Sequence, residues 1–184
     1  AALGPSQNHI RIFALESYGG SLFASALTNL SQNVISRWSG TTWTVLASAD
    51  GGITSLDSYT GTTQGTSFLV AAGHFTTING VPAAKVARSN QAVSTWSAMG
   101  PGLPQLINPK VSVRSLGIVG GSEVTVTGLT TNSAGVFRWT GSSWNALGSV
   151  VPTTGSTAHV TRFNGALLMG LDQASPPPRT PSMF

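Results

Sequence analysis

The chain has 184 residues, enough for one domain with a full core, and carries only nine basic and five acidic residues. So little charge, together with 22 glycines, disfavours helices with a charged surface and favours short strands joined by turns. The absence of cysteine excludes disulfides and thiolate metal sites, and the net charge of +4 reflects few acids rather than a basic run, so we expect no nucleic-acid partner. The sequence also holds no apolar run long enough to cross a membrane, which takes about 18 residues.

Alternating apolar and polar residues predict short strands that recur in sets of four along the chain. In chain order, the first set covers 12–15, 22–27, 33–38 and 43–46, the second 53–56, 68–75, 83–89 and 96–99, the third 113–116, 124–129, 134–139 and 144–147, and the fourth only 160–163 and 167–171. Glycine-containing turns or polar loops separate the strands. Because four antiparallel strands in a period of about 50 residues are typical of propellers, the pattern predicts an all-β, propeller-like array of about three and a half blades.

The expected blades cover about 11–48, 49–100 and 101–149, with a partial blade at 150–173, so that propeller blades fill 1–173. Residues 174–184 contain three consecutive prolines. Proline cannot take part in ordinary central-strand pairing, so this segment is expected to be a tail or a linker.

One ten-residue motif occurs in two similar copies: RWSGTTWTVL, which starts at Arg37, and RWTGSSWNAL, which starts at Arg138. The residues between the two tryptophans suit a tight turn, with a glycine able to take positive φ, so the tryptophans flank a hairpin and the arginine can lie over an indole face. In the second unit Ser89 replaces the first tryptophan of the motif. The blade-signature residues, interpreted as structural, are Arg37, Trp38, Trp43, Arg88, Trp96, Arg138, Trp139 and Trp144.

We expect Trp43, Trp96 and Trp144 to occupy equivalent, mostly buried sites, one in each blade. The functional alternative is that these indoles are exposed platforms on which sugars stack.

The run VAAGHFTTINGVPAAKVARSNQAVSTWSAMGPGL at 70–103 resembles a β-propeller repeat of exported bacterial proteins, notably planctomycete-like ones, which has a relative in fungal cell-surface polarity landmarks. The residues that match this repeat are Gly73, Phe75, Thr76, Gly80, Ala87, Arg88, Trp96, Ser97, Ala98, Met99 and Gly100. The chain departs from the pattern where Ala72 and His74 flank Gly73 and where Asn90 and Gln91 replace an Asp-Gly turn. The resemblance implies a β-propeller outside the cytoplasm, and its motifs specify blades rather than a chemistry.

A propeller must close its ring to protect its edge strands. Three arrangements remain open: a fragment of a larger propeller, a ring assembled from two copies that each supply about three and a half blades, or a four-bladed ring closed within the chain. We favour the first two, in which further chain or other copies cover both end flanks. The residues expected on these flanks are Ile12, Leu15, Leu22 and Phe23 at the first end, and Val160, Phe163, Leu167 and Leu168 at the last.

Catalytic chemistry finds little support in the sequence. The acids Glu16, Asp50, Asp57, Glu123 and Asp172 are scattered at strand ends and turns, and His9, His74 and His159 show no metal-ligand spacing. We therefore expect no catalytic, cofactor-binding or metal-binding residues and no cofactor, although a carboxylate pair gathered from different blades would make a glycosidase.

The expected function is thus that of a non-enzymatic, extracellular or cell-surface propeller that acts as a structural, adhesion or protein-interaction scaffold. Its expected partners are other copies of itself or further chain of the same protein. The alternative is a lectin-like propeller that binds cell-surface glycans, and a hydrolase is a distant third. The strands and turn tryptophans recur while the loops between second and third strands differ, which favours the scaffold.

Overall fold

The computed structural model describes residues 9–60, 67–103, 113–119, 123–129, 134–150, 157–163 and 166–172, with side chains over 9–59, 67–103 and 136–147. Within these ranges all regular elements are β-strands and no helix is present. The same ranges therefore contain no helix that is long and apolar enough to cross a membrane.

Every strand predicted from the sequence overlaps an observed strand, in four successive groups. The first group is β1 (His9–Tyr18), β2 (Ser21–Thr28), β3 (Asn33–Trp38) and β4 (Trp43–Ala49). The second is β5 (Ile53–Thr60), β6 (Ser67–Gly73), β7 (Thr77–Ile78), β8 (Val81–Pro82), β9 (Val86–Ser89) and β10 (Trp96–Ala98). The third is β11 (Val113–Val119), β12 (Glu123–Leu129), β13 (Ala134–Trp139) and β14 (Trp144–Val150), and the last is β15 (Thr157–Phe163) and β16 (Ala166–Asp172).

These strands form four antiparallel sheets, which confirms the predicted all-β class. The second sheet has the order β5-β6-β9-β10, the third β11-β12-β13-β14, and the fourth pairs β15 with β16. The first sheet has the order β1-β2-β3-β4 and is extended at its edge by β7 and β8. Residues 174–184, expected to be a tail or linker, lie outside the described residues.

The β7–β8 hairpin corrects the prediction of a plain loop between the second and third strands of the second unit. Asn79 and Gly80 have φ values of 48° and 75°, the positive pair that a tight type I′ turn requires. Ile78 pairs with Ala49 of β4, and the Asn79 side chain accepts a hydrogen bond from the Ser48 amide at 2.8 Å. The hairpin thus belongs to the second unit in sequence but covers the edge of the first sheet.

Each sheet has two different faces, and the face that carries the turn tryptophan is here named its tryptophan face. This face bears Trp38 and Trp43 in the first sheet, Trp96 in the second, and Trp139 and Trp144 in the third. Side chains alternate along a strand, so the residues between these positions point to the opposite face.

The sheets stack in one direction. Phe23, Ile35 and Ala47 on the opposite face of the first sheet form one buried cluster with Leu69, Ala71 and Trp96 on the tryptophan face of the second. Val70, Ala72 and Val86 on the opposite face of the second sheet form another cluster with Phe137 and Trp139 on the tryptophan face of the third. Burying one such large apolar side chain is worth about 1.5–3 kcal/mol, so these two clusters hold the sheets together.

The first strands of successive sheets also lie side by side. β5 contacts both β1 and β11, and β11 in turn contacts β15. The first strands of the four sheets therefore follow one another side by side in chain order.

The prediction of which residues lie on the exposed flank of the first sheet is correct only in part. Ile12 and Leu15 lie on its tryptophan face with 45% and 50% of their surface exposed. Leu22 is half-buried on the same face, whereas Phe23 is buried on the opposite face against the second sheet. Adjacent residues in a regular strand cannot share a face, so Leu22 and Phe23 had to separate. The side chains expected on the last flank (Val160, Phe163, Leu167 and Leu168) are outside the described part.

Candidate functional site

The arginine and tryptophan residues singled out in the sequence lie at one corner of each sheet, at the hairpin between its third and fourth strands. In the first and third sheets the tryptophans pair directly across the hairpin, Trp38 with Trp43 and Trp139 with Trp144. In the second sheet Ser89 pairs with Trp96 at the same register. The preceding arginines Arg37, Arg88 and Arg138 therefore occupy equivalent backbone positions in three sheets.

The hairpin turn of the first corner is built by hydroxyl groups and one glycine. The Ser39 amide donates to the Thr42 carbonyl at 2.9 Å, and the Ser39 hydroxyl accepts from the Thr42 amide at 3.0 Å. Gly40 has a φ of 99°, a conformation that side chains with a Cβ rarely adopt. A hydroxyl residue followed by glycine is therefore the local cause of this turn.

The third corner repeats the same turn. The Thr140 amide donates to the Ser143 carbonyl at 2.9 Å, the Ser143 amide donates to the Thr140 hydroxyl at 3.1 Å, and Gly141 has a φ of 100°. The longer second turn uses an asparagine instead: Oδ1 of Asn90 accepts from the amides of Ser94 at 2.8 Å and Thr95 at 3.2 Å.

The indoles of these corners are mainly packing groups. Trp43 is 2% exposed and Trp96 5% exposed, as expected of buried sites, whereas Trp144 is only half-buried. The indole N–H of Trp144 donates to the Met99 carbonyl of the second unit at 2.9 Å. Trp139, at 9% exposure, occupies the inter-sheet cluster beside it. These corners therefore do not present a wide, exposed aromatic surface.

Arg37 and Arg88 do not cover the indoles near them in the sequence. Arg37 points to the face opposite Trp38, because neighbouring residues of a strand alternate between faces. Arg88 lies over the Phe68 ring, with 5.2 Å from Cζ to the ring centroid, since these two side chains share the opposite face of the second sheet. In the second sheet the expected contact between arginine and indole is replaced by a cation–π contact between Arg88 and Phe68.

Two clefts lie at these corners, each with an arginine in its wall. The first has a volume of about 600 Å³ and is lined by Ser17, Gly20, Ser21, Leu22, Arg37, Trp38, Ser39 and Gly40. The second has a volume of about 330 Å³ and is lined by Ser67, Phe68, Arg88, Ser89, Asn90, Gln91, Thr95 and Ser97. In the described part of the chain, neither Arg37 nor Arg88 forms a salt bridge.

The first sheet helps to build the second cleft. The buried Tyr18 hydroxyl of β1 donates to the Ser67 carbonyl at 2.6 Å and lies 3.1 Å from the Gln91 carbonyl. The Ser89 hydroxyl accepts from the Leu69 amide at 3.0 Å. These contacts hold the two rims of the cleft at a fixed separation, and Tyr18 is a residue that the sequence did not single out.

Two of the described acids, Asp50 and Asp57, accept hydrogen bonds from the backbone. Asp50 accepts hydrogen bonds from the amides of Thr76 at 2.7 Å and Thr77 at 2.8 Å and from the Thr76 hydroxyl. These bonds connect the segment between β4 and β5 to the segment that follows β6. Burial raises the pKa of Asp50, but these hydrogen bonds outweigh burial and hold the pKa below its usual value. Asp57 accepts from the Ser58 amide at 2.8 Å.

His9 and Lys85 are basic residues that lie outside both clefts. Nε2 of His9 lies 3.0 Å from the Ser36 hydroxyl, and burial lowers the pKa of its imidazole. Burial likewise lowers the pKa of Lys85, which has a φ of 70°. No three His, Asp or Glu side chains among the described residues come together as metal ligands. The side chains of Glu123, His159 and Asp172 lie outside that part.

Two further structural residues could have been found from the sequence. An Asn-Gly pair between apolar residues is the strongest short-range hairpin signal, and Asn79-Gly80 has that form. Asp50 stands before two glycines at the boundary of two units, a position that suits a side chain capping a neighbouring turn.

No family model matches the chain, and no curated protein matches it either.

Proposed function

We propose that the chain forms blades of a non-enzymatic β-propeller that serves outside the cytoplasm as a structural, adhesion or protein-interaction scaffold. The observation that carries this proposal is the one-way stacking of the sheets, in which the second and third sheets each place their tryptophan face on the opposite face of the sheet before. Such contact between unlike faces is heterologous, and a repeated heterologous contact generates a ring when its rotation closes. The side-by-side order of β1, β5, β11 and β15 supports a common axis for that ring.

The tryptophan face of the first sheet supports a role in assembly. Ile10, Ile12, Leu15 and Val45 are large apolar side chains exposed on or beside this face. Both other tryptophan faces with described side chains are covered by the opposite face of a sheet of the same repeat. The partner of the first face is accordingly the opposite face of another such sheet, supplied by further chain or by a second copy.

The absence of catalysis and the extracellular location are parts of the same proposal. Asp50 and Asp57 accept hydrogen bonds from nearby backbone amides, which gives both acids a structural role. Location outside the cytoplasm follows from the resemblance of 70–103 to exported propeller repeats.

Analytical ultracentrifugation of the 184-residue chain over a micromolar concentration series tests the proposal. We expect the wild type to associate, and the double variant Ile12→Lys/Leu15→Lys to sediment as an 18.8 kDa monomer with an unchanged circular dichroism spectrum. Leu30→Lys is the matched control, because Leu30 is 72% exposed in the β2–β3 turn and its replacement should leave association intact. A wild type that stays monomeric at every concentration would contradict an uncovered blade face.

A second candidate, a glycan-binding propeller, is favoured by one observation. The two arginine clefts lie at equivalent corners of successive sheets, as expected of a binding site repeated once per blade.

A further inference from the structure

The two clefts are built from equivalent residues. Relative to the arginine register, Gly20-Ser21 of the first cleft corresponds to Ser67-Phe68 of the second, and 37–40 corresponds to 88–91. Six of the eight lining positions therefore recur, although the side chains at most of them differ. What persists is one guanidinium among short polar groups at the mouth of a hairpin.

We propose that these arginine clefts bind the carboxylate groups of an acidic saccharide. The guanidinium is a planar fork of donors that matches a carboxylate with two parallel hydrogen bonds. Arg37 and Arg88 form no salt bridge within the described residues, so their charge is available to a ligand. The Arg88 guanidinium carbon lies over the Phe68 ring at 5.2 Å from its centroid, so the ring supports the guanidinium from one side.

The remaining lining groups suit a sugar. Hydroxyls of Ser67, Thr95 and Ser97 and the amide of Gln91 surround Arg88, and such groups both donate to and accept from ring hydroxyls. The volume of about 330 Å³ falls at the small end of the range of about 300–1,000 Å³ that is usual for ligand sites. The first cleft, at about 600 Å³, lies well within the same range.

The clefts fit nucleic acid poorly. Single strands are bound by a continuous basic groove with exposed aromatic rings on which bases stack. The described lining of each cleft contains a single cation, Arg37 or Arg88, which does not make a continuous basic groove. A polymer with a carboxylate on every unit would instead engage clefts on successive sheets, and linkage of weak sites raises the overall affinity.

The probe is a defined oligogalacturonide, with its fully methyl-esterified form as the uncharged control, titrated into the full chain by calorimetry. We expect binding of the acid form alone. The double variant Arg37→Gln/Arg88→Gln should weaken that binding by about tenfold or more, because hydrogen bonds to charged groups are among the strongest in proteins. Arg11→Gln is the control, because Arg11 is exposed, lies over the Phe13 ring and is outside both clefts. Arg138 is not replaced in the control, because it occupies the equivalent corner of the third sheet.

Two further measurements separate a cleft from a general charge effect. Arg37→Lys/Arg88→Lys keeps the charge but loses the fork, so it should bind more weakly than the wild type. In the unmodified protein, the Nε–H resonances of Arg37 and Arg88 should shift on titration while that of Arg11 stays in place, a readout that no folding defect can affect.

The proposal is overturned if the methyl-esterified oligomer binds equally well, if Arg11→Gln weakens binding as much as the double variant, or if the chain binds neither oligomer. Tighter binding of dextran sulfate or of single-stranded DNA than of the oligogalacturonide would also overturn it, in favour of a sulfate or phosphate ligand. Because the clefts require only the corner of each sheet, sedimentation of the scaffold is unaffected by any of these results.

Discussion

The corners of the first and third sheets are the same structure in two different surroundings. Trp38 and Trp43 have ring centroids 5.3 Å apart at 49°, and Trp139 and Trp144 have theirs 5.2 Å apart at 49°. The third corner is packed on the second sheet, with Trp139 in the inter-sheet cluster. The first corner has His9 edge-on to Trp43 at 5.9 Å and lies on the face that exposes Leu15 and Val45.

The two corners distinguish the geometry set within the hairpin from the contacts that a neighbouring sheet adds. The two indole pairs agree within 0.1 Å and have the same angle, although only one of them has a described sheet against it. The turn hydroxyl, the glycine and the cross-strand tryptophan pair therefore set the corner locally. Packing between sheets then uses a surface that is already formed, which is why the first and third corners keep the same geometry in different surroundings.

The largest expected effect breaks the symmetry between Trp139 and its counterpart Trp38. Trp139→Ala should lower the free energy of unfolding by about 3–5 kcal/mol, because it opens a cavity between two sheets. Trp38→Ala should cost about 1–2 kcal/mol, since Trp38 is half-buried and faces no described sheet. Urea unfolding in the monomeric Ile12→Lys/Leu15→Lys background measures both values. Equal costs would mean that the neighbouring sheet contributes nothing to the third corner.

The next prediction concerns the turn glycines, whose costs should be equal. Gly40→Ala and Gly141→Ala each force a Cβ into positive φ, at about 1–2 kcal/mol, and neither Cβ meets another atom within 4 Å. The strain is therefore local and independent of the neighbouring sheet. Gly52→Ala is the control, because its Cβ would make only ordinary contacts at 3.9 Å without positive φ. A difference well above the error between the two turn variants would refute the local origin of the corner.

The strands and corners could be predicted because their signals are local. Alternation, turn glycines and the spacing between tryptophans are all readable within ten residues, and β3 and β13 begin and end at the predicted residues. The faces were harder. A register shift between Ile12 and Ala14 in β1 places Ile12 and Leu15 on one face, whereas a regular strand would separate them. No periodicity in the sequence reveals such a bulge.

The clefts could not be predicted from the sequence, for a different reason. Arg37 and Arg88 were recognised because they recur, but a cleft also needs Ser17 and Gly20 or Ser67 and Phe68 beside them. Those residues reach the arginines only through the antiparallel register of neighbouring strands. The Tyr18 hydroxyl bond to Ser67 depends in addition on how two sheets stack, and stacking is decided by the summed fit of many side chains.

A smaller effect belongs to the second tryptophan of the third corner. Trp144→Phe removes the indole N–H that donates to the Met99 carbonyl, and the lost hydrogen bond should cost about 1 kcal/mol of unfolding free energy. Trp43 is 2% exposed whereas Trp144 is half-buried, so Trp43→Phe should lose more packing than Trp144→Phe. Thermal unfolding of Trp144→Phe beside the wild type measures the cost, and an unchanged stability would show that the bond to the second unit adds none.

The smallest effect is a pH dependence that belongs to the first corner. Burial lowers the pKa of His9, which contacts Trp43 and the Ser36 hydroxyl, below its ordinary value of 6.5. The unfolded chain therefore takes up a proton at His9 before the folded chain does as the pH falls. The contribution of neutral His9 to stability is complete above pH 6.5 and is lost as the pH falls through the folded pKa. The urea midpoint of unfolding should consequently fall more between pH 7.5 and pH 5.5 in the wild type than in His9→Gln. An identical fall in both proteins would show that His9 makes no pH-dependent contribution to the stability of this corner.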